Sequence, residues 1–409
     1  MTQDNPPERT RSLLILVIWG AGLGAAAQFA KISVIYDRMA AIYGAAGGAG
    51  IGLMVSVVGI VGLLFGTTAG LLAERIGYRR VFVGGMALGA VLSACEALLP
   101  PWPLMMAARA LEGFSQLAVV VVAPVMIAQV AQPRHQGLGM SLWATFFGVS
   151  FALTAFAAPP LVAAFGPPGL FLAHAGWMAV FTFLLALMLP ADPPGAQAPR
   201  LRLPELVRQH GAIYGSPYIA APAAGFIFYT LMYVALLTLL PLLVPGAQRV
   251  WVAEAMPLTS IVASLSLGVW LLRFVPAIRV VQLGFGLSAL AGLGFWAFWG
   301  QAAAVLACVV LLSAGLGLVQ GASMAAIPQL NAAPGDRARA AGAIAQLGNL
   351  GTTTGTPLLA ALIAGQGPRA VLFFVLPLSL AGIAIHQWMA ARRARQLDAN
   401  QWGASAPDL

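Results

Sequence analysis

Charge is what this chain lacks most. Of its 409 residues only 8% are Asp, Glu, Lys or Arg, while 60% are hydrophobic. A soluble domain averages about 25% charged residues and needs them to cover its surface. The composition excludes a water-facing surface over most of the chain, so its solvent is lipid. Lysine is nearly absent: Lys31 is the single one, and every other basic residue is arginine. Cysteine is scarce as well. Cys95 and Cys308 stand far apart in apolar runs, with no CxxC and no ligand spacing, which excludes a disulfide framework and leaves both as small buried hydrophobes. His135, His174, His210 and His386 are scattered, with no pair spaced for a metal. There is no phosphate-binding loop and no nucleophile with a base at useful spacing, which argues against an ATP-driven pump, a membrane hydrolase or any other enzyme. No cofactor and no metal is called for.

What the chain does have is long apolar runs. A spanning helix needs about 20 apolar residues, because each rises ~1.5 Å and the hydrocarbon core is ~30 Å thick. Charged and Pro/Gly-rich breaks divide the sequence into twelve such runs: 13–36, 48–72, 80–99, 102–130, 138–165, 170–190, 217–243, 252–273, 277–298, 302–328, 340–364 and 370–391. Arg9 and Arg11 before Leu13 to Trp19 resemble the start of a signal peptide, but the apolar run continues to Ile35 and is read as an uncleaved first span. The largest break, 191–216, separates an N-terminal six-helix bundle (1–190) from a C-terminal one (217–409), and is read as a cytoplasmic linker.

The cations test this layout. The net charge of +9 does not point to nucleic acid, because the arginines are spread over loops between apolar runs. With the N-terminus inside, 16 of the 21 basic residues fall in inner segments, and three, Arg38, Arg249 and Arg369, fall in outer ones. Cytoplasmic loops carry excess Lys and Arg, so the alternation supports twelve spans with both ends in the cytoplasm. The halves also echo each other. Gly70-Leu-Leu-Ala-Glu-Arg75 matches Gly268-Val-Trp-Leu-Leu-Arg273 at an offset of 198, and Pro160-Leu-Val-Ala-Ala164 matches Pro357-Leu-Leu-Ala-Ala361 at 197. Such parallel repeats are a transporter architecture with the binding site between the halves.

After the second span the chain reads Gly70-Leu71-Leu72-Ala73-Glu74-Arg75-Ile76-Gly77-Tyr78-Arg79-Arg80. This resembles the major facilitator signature G-x-L-a-D-r-x-G-r-k, with Glu74 where the pattern usually has Asp. Arg109-Ala-Leu-Glu-Gly113 in span 4 is similar to the family's R-x-x-x-G, and Gly176-Trp177 followed by Phe181 resembles its stretch in span 6. The drug-antiporter pattern G-P-x-x-G-G is not matched by Ala158-Pro159-Pro160-Leu161-Val162-Ala163. The resemblance covers nearly the whole chain. It implies the all-α major facilitator fold, and it implies that Gly70, Glu74, Arg75, Gly77, Arg79 and Arg80 latch the halves on the cytoplasmic side. Physically, an acid at that edge has the positive N-terminus of another helix to lie against.

Ionisable groups inside a span are costly and mark function by default. Lys31, with Gln28 one turn before it, lies in span 1, and Arg109, Glu112 and Gln116 share one face of span 4. Burial disfavours the charge of Glu112 while a neighbouring Arg favours it, which makes Glu112 the candidate proton carrier. The alternatives are that Lys31 snorkels to the interface, that Arg109 fixes packing, and that Glu112 is its permanently ionised partner. Glu96 and Glu254, near outer helix ends, are read as interfacial. In the C-terminal half, Phe226, Tyr229 and Tyr233 share a face, as do Gln346, Asn349 and Thr353. The aromatic face is either packing or binding surface, and the polar stripe must face protein or water and is read as lining the cavity.

The expected function is secondary transport of a small organic solute by alternating access. Lys31 and Arg109 outweigh Glu112, which favours an anion, and proton coupling follows from the resemblance and from Glu112. The rivals are a proton-driven exporter of drugs or amphiphilic metabolites, and a non-transporting membrane sensor, against which the short tail after Arg395 counts. The expected setting is a monomer in a bacterial cytoplasmic membrane, with lipid, protons and the solute as partners. Topology is directly testable: cysteine tags beside Arg38 and Arg249 react with an impermeant reagent added outside intact cells, while tags beside Arg79 and Arg202 stay protected. The reverse labelling would overturn the span assignment.

Overall fold

The computed structural model describes residues 10–44, 47–66, 68–192 and 203–404; Arg9, Arg200, Arg202 and the middle of the 191–216 break lie outside them. Every regular element among the described residues is helical: α1 Ser12–Ser33, α2 Tyr36–Ile42, α3 Gly47–Ser56, α4 Gly59–Phe65, α5 Ala69–Ile76, α6 Tyr78–Glu96, α7 Trp102–Val130, α8 Pro133–Ala144, α9 Phe146–Met188, α10 Leu203–Gly215, α11 Ala220–Leu243, α12 Gly246–Ala263, α13 Val269–Leu271, α14 Ala277–Phe298, α15 Ala302–Leu330, α16 Pro334–Gln366 and α17 Ala370–Ala404. Backbone groups in hydrocarbon must be satisfied within their own segment, and helices do so.

Eight helical stretches are long and apolar enough to cross a membrane, or nine if the bent pair α3 and α4 is one span. Two of the eight, Arg134–Met188 and Gly335–Gln396, hold 55 and 62 residues. At ~1.5 Å per residue each is more than twice the ~30 Å hydrocarbon thickness, so each accommodates two of the expected runs. The first is broken at Gly166, whose φ of +67° lies in the region that glycine enters without penalty, just before Pro167 and Pro168. The second is interrupted by the 3-10 turn Gly367–Arg369.

The second run departs most from expectation. It is not one helix over 48–72 but three pieces, with α3 and α4 meeting at a bend of 60°. Its glycines explain both the break and its use. Glycine lowers helix propensity by about 1 kcal/mol relative to alanine, and it lets another backbone come close. A Cβ at Gly52 would meet backbone Pro357 Cα at 2.9 Å, and one at Gly59 or Gly62 would run into Thr353 or Asn349. The broken helix therefore lies flush against α16, in the other half of the chain.

The halves share one apolar core at the end away from most of the arginines. Phe29, Ile32, Tyr36 and Val55 belong to the same cluster as Tyr229, Tyr233, Leu237 and Leu240. The shared cluster continues through the C-terminal half to Ile219, Val280 and Ala340, whereas the arginine-rich end of the N-terminal half has its own core of Leu14, Ile18, Val122, Met126 and Trp143 and a small satellite of Ala220, Ala221 and Met389 stands by itself. Beyond the shared core, Thr238 Oγ1 donates to Ser33 Oγ at 2.8 Å, and an exposed ion pair joins Asp37 to Arg249 at 2.8 Å. At the other end, Tyr214 of α10 donates to Gln346 Oε1 at 2.7 Å; burial pushes the Tyr214 phenol up to about 12, so it stays a donor throughout the physiological range. Cys308 is buried as expected, but Cys95 is exposed, because it sits on the outward side of α6 next to Glu96, which points in.

The loop motif folds differently from its expected use. Glu74 is exposed and makes no hydrogen bond or ion pair to a described residue. The acid at the N-terminus of α6 is Asp192, from just beyond α9. Its Oδ1 accepts the Arg79 N–H at 2.8 Å and its Oδ2 the Arg80 N–H at 3.1 Å. Gly77, at φ +107°, lets the carboxylate in, since a Cβ there would collide with it. Arg79 Nη2 donates to Ala186 O at 2.6 Å. Gly70, Arg75 and Arg80 make no bond to the other half among the described residues. These bonds tie the ends of α6 and α9 together through Asp192, and among the described residues none of them reaches 217–409. Losing a capping side chain costs about 0.5–2 kcal/mol. Asp192→Ala is expected to lower the melting temperature of purified protein, whereas Glu74→Ala leaves it within error; equal loss in both would return the structural role to Glu74.

Candidate functional site

Three helices each offer a pair of polar residues one turn apart, Gln28 and Lys31 on α1, Ser93 and Glu96 on α6, Arg109 and Glu112 on α7. Residues three apart share a helix face, and the three faces converge with His174 of α9. Gln28, Lys31, Ser93, Glu96, Arg109 and Glu112 are all fully buried, and His174 nearly so. Lys31 Nζ donates to Glu112 Oε1 at 2.7 Å and Ser93 Oγ at 2.9 Å, stands 2.6 Å from Glu96 Oε2 and lies 5.4 Å from the centre of the Phe171 ring. Arg109 pairs through Nη1 with Glu112 and lies 3.7 Å from Glu96 Oε1.

The rest of the Arg109 guanidinium is spent on backbone. It donates to Met54 O at 3.0 Å, Val55 O at 3.2 Å and Gln28 O at 2.6 Å. Met54 and Val55 lie in the last turn of α3, where carbonyls lose their helical partners. One arginine therefore satisfies the break in the second span and ties it to α1. Gln28 Nε2 donates to Ser115 Oγ at 2.9 Å. His174 Nε2 is 2.9 Å from Gly24 O; a carbonyl only accepts, so this nitrogen carries a proton. Nδ1 faces Ser93 Oγ at 2.8 Å and the Lys31 ammonium at 3.3 Å. A proton there would oppose the ammonium, so the ring is neutral with Nδ1 as acceptor.

The quartet Lys31, Glu96, Arg109 and Glu112 thus balances two positive and two negative charges. This excludes one rival reading and corrects three expectations. Lys31 does not snorkel, because its ammonium is enclosed by two carboxylates. Glu96 is not interfacial but the second of those carboxylates. The excess of cations that favoured an anion disappears once Glu96 is counted. His174, read as scattered, is part of the cluster.

The second group lies between the halves. On α1, Phe29 points roughly opposite to Gln28 and Lys31 and packs against Phe147 at 5.8 Å between ring centres. Phe147 also contacts Phe151 at 5.1 Å and Tyr233 at 6.3 Å. Tyr233 stacks on Tyr229 at 5.1 Å, and Tyr229 meets Phe226 at 5.0 Å. This continuous aromatic row crosses from one half to the other, so Tyr229 and Tyr233 stand together but apart from the quartet. Gln346 and Asn349 do not join them. Gln346 Nε2 donates to Leu63 O at 3.1 Å, and Asn349 packs on Gly62. The polar stripe of α16 faces the glycines of α4 rather than a cavity, because those glycines leave room for side chains to reach the opposing backbone. Among the described residues no group of three His, Cys, Asp or Glu is placed to hold a metal.

Removing one member of a buried ion pair costs about 3–5 kcal/mol, because the other charge is left uncompensated. Lys31→Met leaves the quartet one charge negative and is expected to lower folded yield sharply. Adding Glu96→Gln restores neutrality and is expected to recover most of it, as measured by monodisperse yield and melting temperature. No recovery in the double variant would show that packing, not charge balance, sets the stability.

Residues 14–344 match the family model described as Major Facilitator Superfamily. The inner membrane transport protein YajR of Escherichia coli (strain K12) is 28% identical over 158 residues, 37% of this chain and 34% of that protein. The 3-(3-hydroxy-phenyl)propionate transporter of the same organism is 32% identical over 98 residues, 24% of each chain. The matches thus span about a third and a quarter of these relatives' lengths. The family model covers most of the chain, and with the apolar helices and the broken second span it leads to one conclusion: this integral membrane protein belongs to the Major Facilitator Superfamily.

Proposed function

We propose that the chain moves a small organic solute by alternating access between its two six-helix halves, 1–190 and 217–409, and that proton binding in the buried quartet drives the exchange. The observation that carries this reading is the quartet's exact charge balance away from solvent. Adding one proton to Glu112 or Glu96 leaves a net positive cluster in a medium where an unpaired charge costs several kcal/mol. The cheapest relief is movement of the arginine, which also holds the α3 carbonyls and, through the second span, touches α16. Protonation and the packing between the halves are thereby linked through Arg109.

The solute is assigned to the aromatic row. A continuous stack of Phe29, Phe147, Tyr233, Tyr229 and Phe226 suits a planar ring, with phenol hydroxyls beside it for a polar substituent. The printed name of one relative, a hydroxyphenyl-propionate transporter, supports an aromatic carboxylic acid. An anion therefore remains the proposed substrate, on the ring-binding surface and the relative rather than on excess positive charge. The name of one relative, the inner membrane transport protein YajR, favours a bacterial inner membrane; the excess of arginines at one end favours both termini in the cytoplasm, and a single chain is the proposed working unit.

The test begins with a thermal-stability screen of aromatic carboxylic acids on purified protein, since a ligand of the folded state raises its apparent stability by mass action. The best acid is then taken into proteoliposomes. Wild type is expected to show acid uptake driven by an imposed proton gradient. Glu112→Gln is expected to lose gradient-driven uptake by at least tenfold while retaining exchange of labelled for unlabelled acid. Gradient-driven uptake at the wild-type rate in that variant would remove Glu112 from coupling. Stabilisation by cationic amphiphiles in place of acids would transfer the proposal to the exporter reading.

A further inference from the structure

At the arginine-rich end of the C-terminal half, away from the quartet and the aromatic row, α14, α15 and α17 enclose a cleft of about 600 Å³. Its polar walls are Arg279, Gln282, Gln329, Gln387 and Arg393, and no lining residue is acidic. The Arg279 guanidinium makes no hydrogen bond or ion pair to a described residue, and neither do the amides of Gln282 and Gln387. Gln329 spends its oxygen on the Ala277 N–H at 2.8 Å, which leaves its amide hydrogens to the cleft. Arg393 spends one nitrogen on Pro217 O at 2.9 Å. The polar part of the lining thus carries two positive charges and three amide groups able to donate, beside apolar Pro276, Ile278, Leu330 and Ala390, and holds no counter-charge of its own. That is the complement of an oxyanion with several acceptor oxygens, and guanidinium groups match phosphate in particular.

Its depth selects the source of that phosphate. Trp388 is exposed beside Gln387 and stacks under the Arg392 guanidinium at 4.9 Å. Exposed Trp270 of α13 and Phe274 of the turn just after it pack on each other nearby. Exposed tryptophans mark the headgroup level of a bilayer. From the cleft towards mid-membrane, α14 exposes Leu283 and Leu290 and α17 exposes Leu380, an apolar surface for acyl chains directly above a basic pocket. Basic pockets between spanning helices hold anionic headgroups.

We propose that this cleft is a binding site for the phosphate headgroup of an anionic phospholipid, with Arg279 and Arg393 as the charged contacts and the three glutamines as neutral donors. Native mass spectrometry of the detergent-solubilised full chain tests it, with phosphatidylglycerol, phosphatidylcholine and inorganic phosphate added in turn. Phosphatidylglycerol is expected to bind at least tenfold more tightly than phosphatidylcholine. Each basic residue near a headgroup contributes about fivefold, so Arg279→Gln is expected to lose about that factor. Arg273→Gln, an exposed arginine of the same end outside the cleft, is expected to lose less than twofold. Equal binding of the two lipids, an unchanged Arg279→Gln, or an equal loss in Arg273→Gln would overturn the site. Inorganic phosphate that binds as tightly as phosphatidylglycerol would overturn the lipid assignment in favour of a soluble anion. Should Arg279→Gln melt below wild type in phosphatidylcholine, Gln387→Leu serves instead: it keeps the charge, and lipid affinity equal to wild type in it would count against the site.

Discussion

Charge neutrality inside hydrocarbon is the constraint on which the N-terminal half is built. Two cations and two carboxylates are tolerable there only as a closed set, and closing it requires α1, α6 and α7 to present their polar pairs at one depth. The hydroxyl of Ser93 takes a further hydrogen bond from Lys31, that of Ser115 takes one from Gln28, and the neutral His174 donates to Gly24 O. Few other contacts within this half demand such exact registry, because apolar helices in lipid have little hydrophobic force between them and settle by packing. The quartet therefore fixes what packing alone would leave loose.

The C-terminal half is organised differently. Among its described residues there is no interior charge cluster, and its contribution to the contact between halves is aromatic on α11 and small or polar on α16. The two halves share an ancestral-looking repeat in sequence yet divide the work: one holds ionisable groups, the other offers ring surfaces and hydrogen-bonding side chains to the glycines of the second span. The buried charges of the first half and the aromatic row between the halves are distinct in place and connected through α3 and α4.

Much of this was legible in the sequence, and the failures have physical causes. Lys31, Arg109 and Glu112 stand out because an ionisable residue in an apolar run has few affordable explanations. Glu96 was misread because it lies in the last turn of its helix, where distance from the interface is ambiguous by several ångströms; its signal was Ser93, one turn earlier on the same face. The polar stripe at Gln346 and Asn349 was recognised, but a stripe must avoid lipid whether it meets water or another helix, and periodicity does not separate the two. The glycines of 47–70 were the missing clue. Asp192 was beyond reach, since its partner amides are 112 and 113 residues away and nothing local marks it as a cap. The order of the helices followed directly from hydropathy; the break inside the second span did not, because its repair comes from a side chain on another helix.

That repair has a mechanical corollary. A helix with a bend of 60° whose freed carbonyls are bridged by a single guanidinium is a jointed rod with one pin. Both of its segments rest on α16 through glycines that add no side chain of their own, so that Pro357 backbone meets Gly52 and the Thr353 and Asn349 side chains seat on Gly59 and Gly62, and a small rotation at the joint is passed on with little slack. Stiffness at the contact and compliance at the pin are what a crank requires, and in this molecule both are concentrated in the nineteen residues from Gly47 to Phe65.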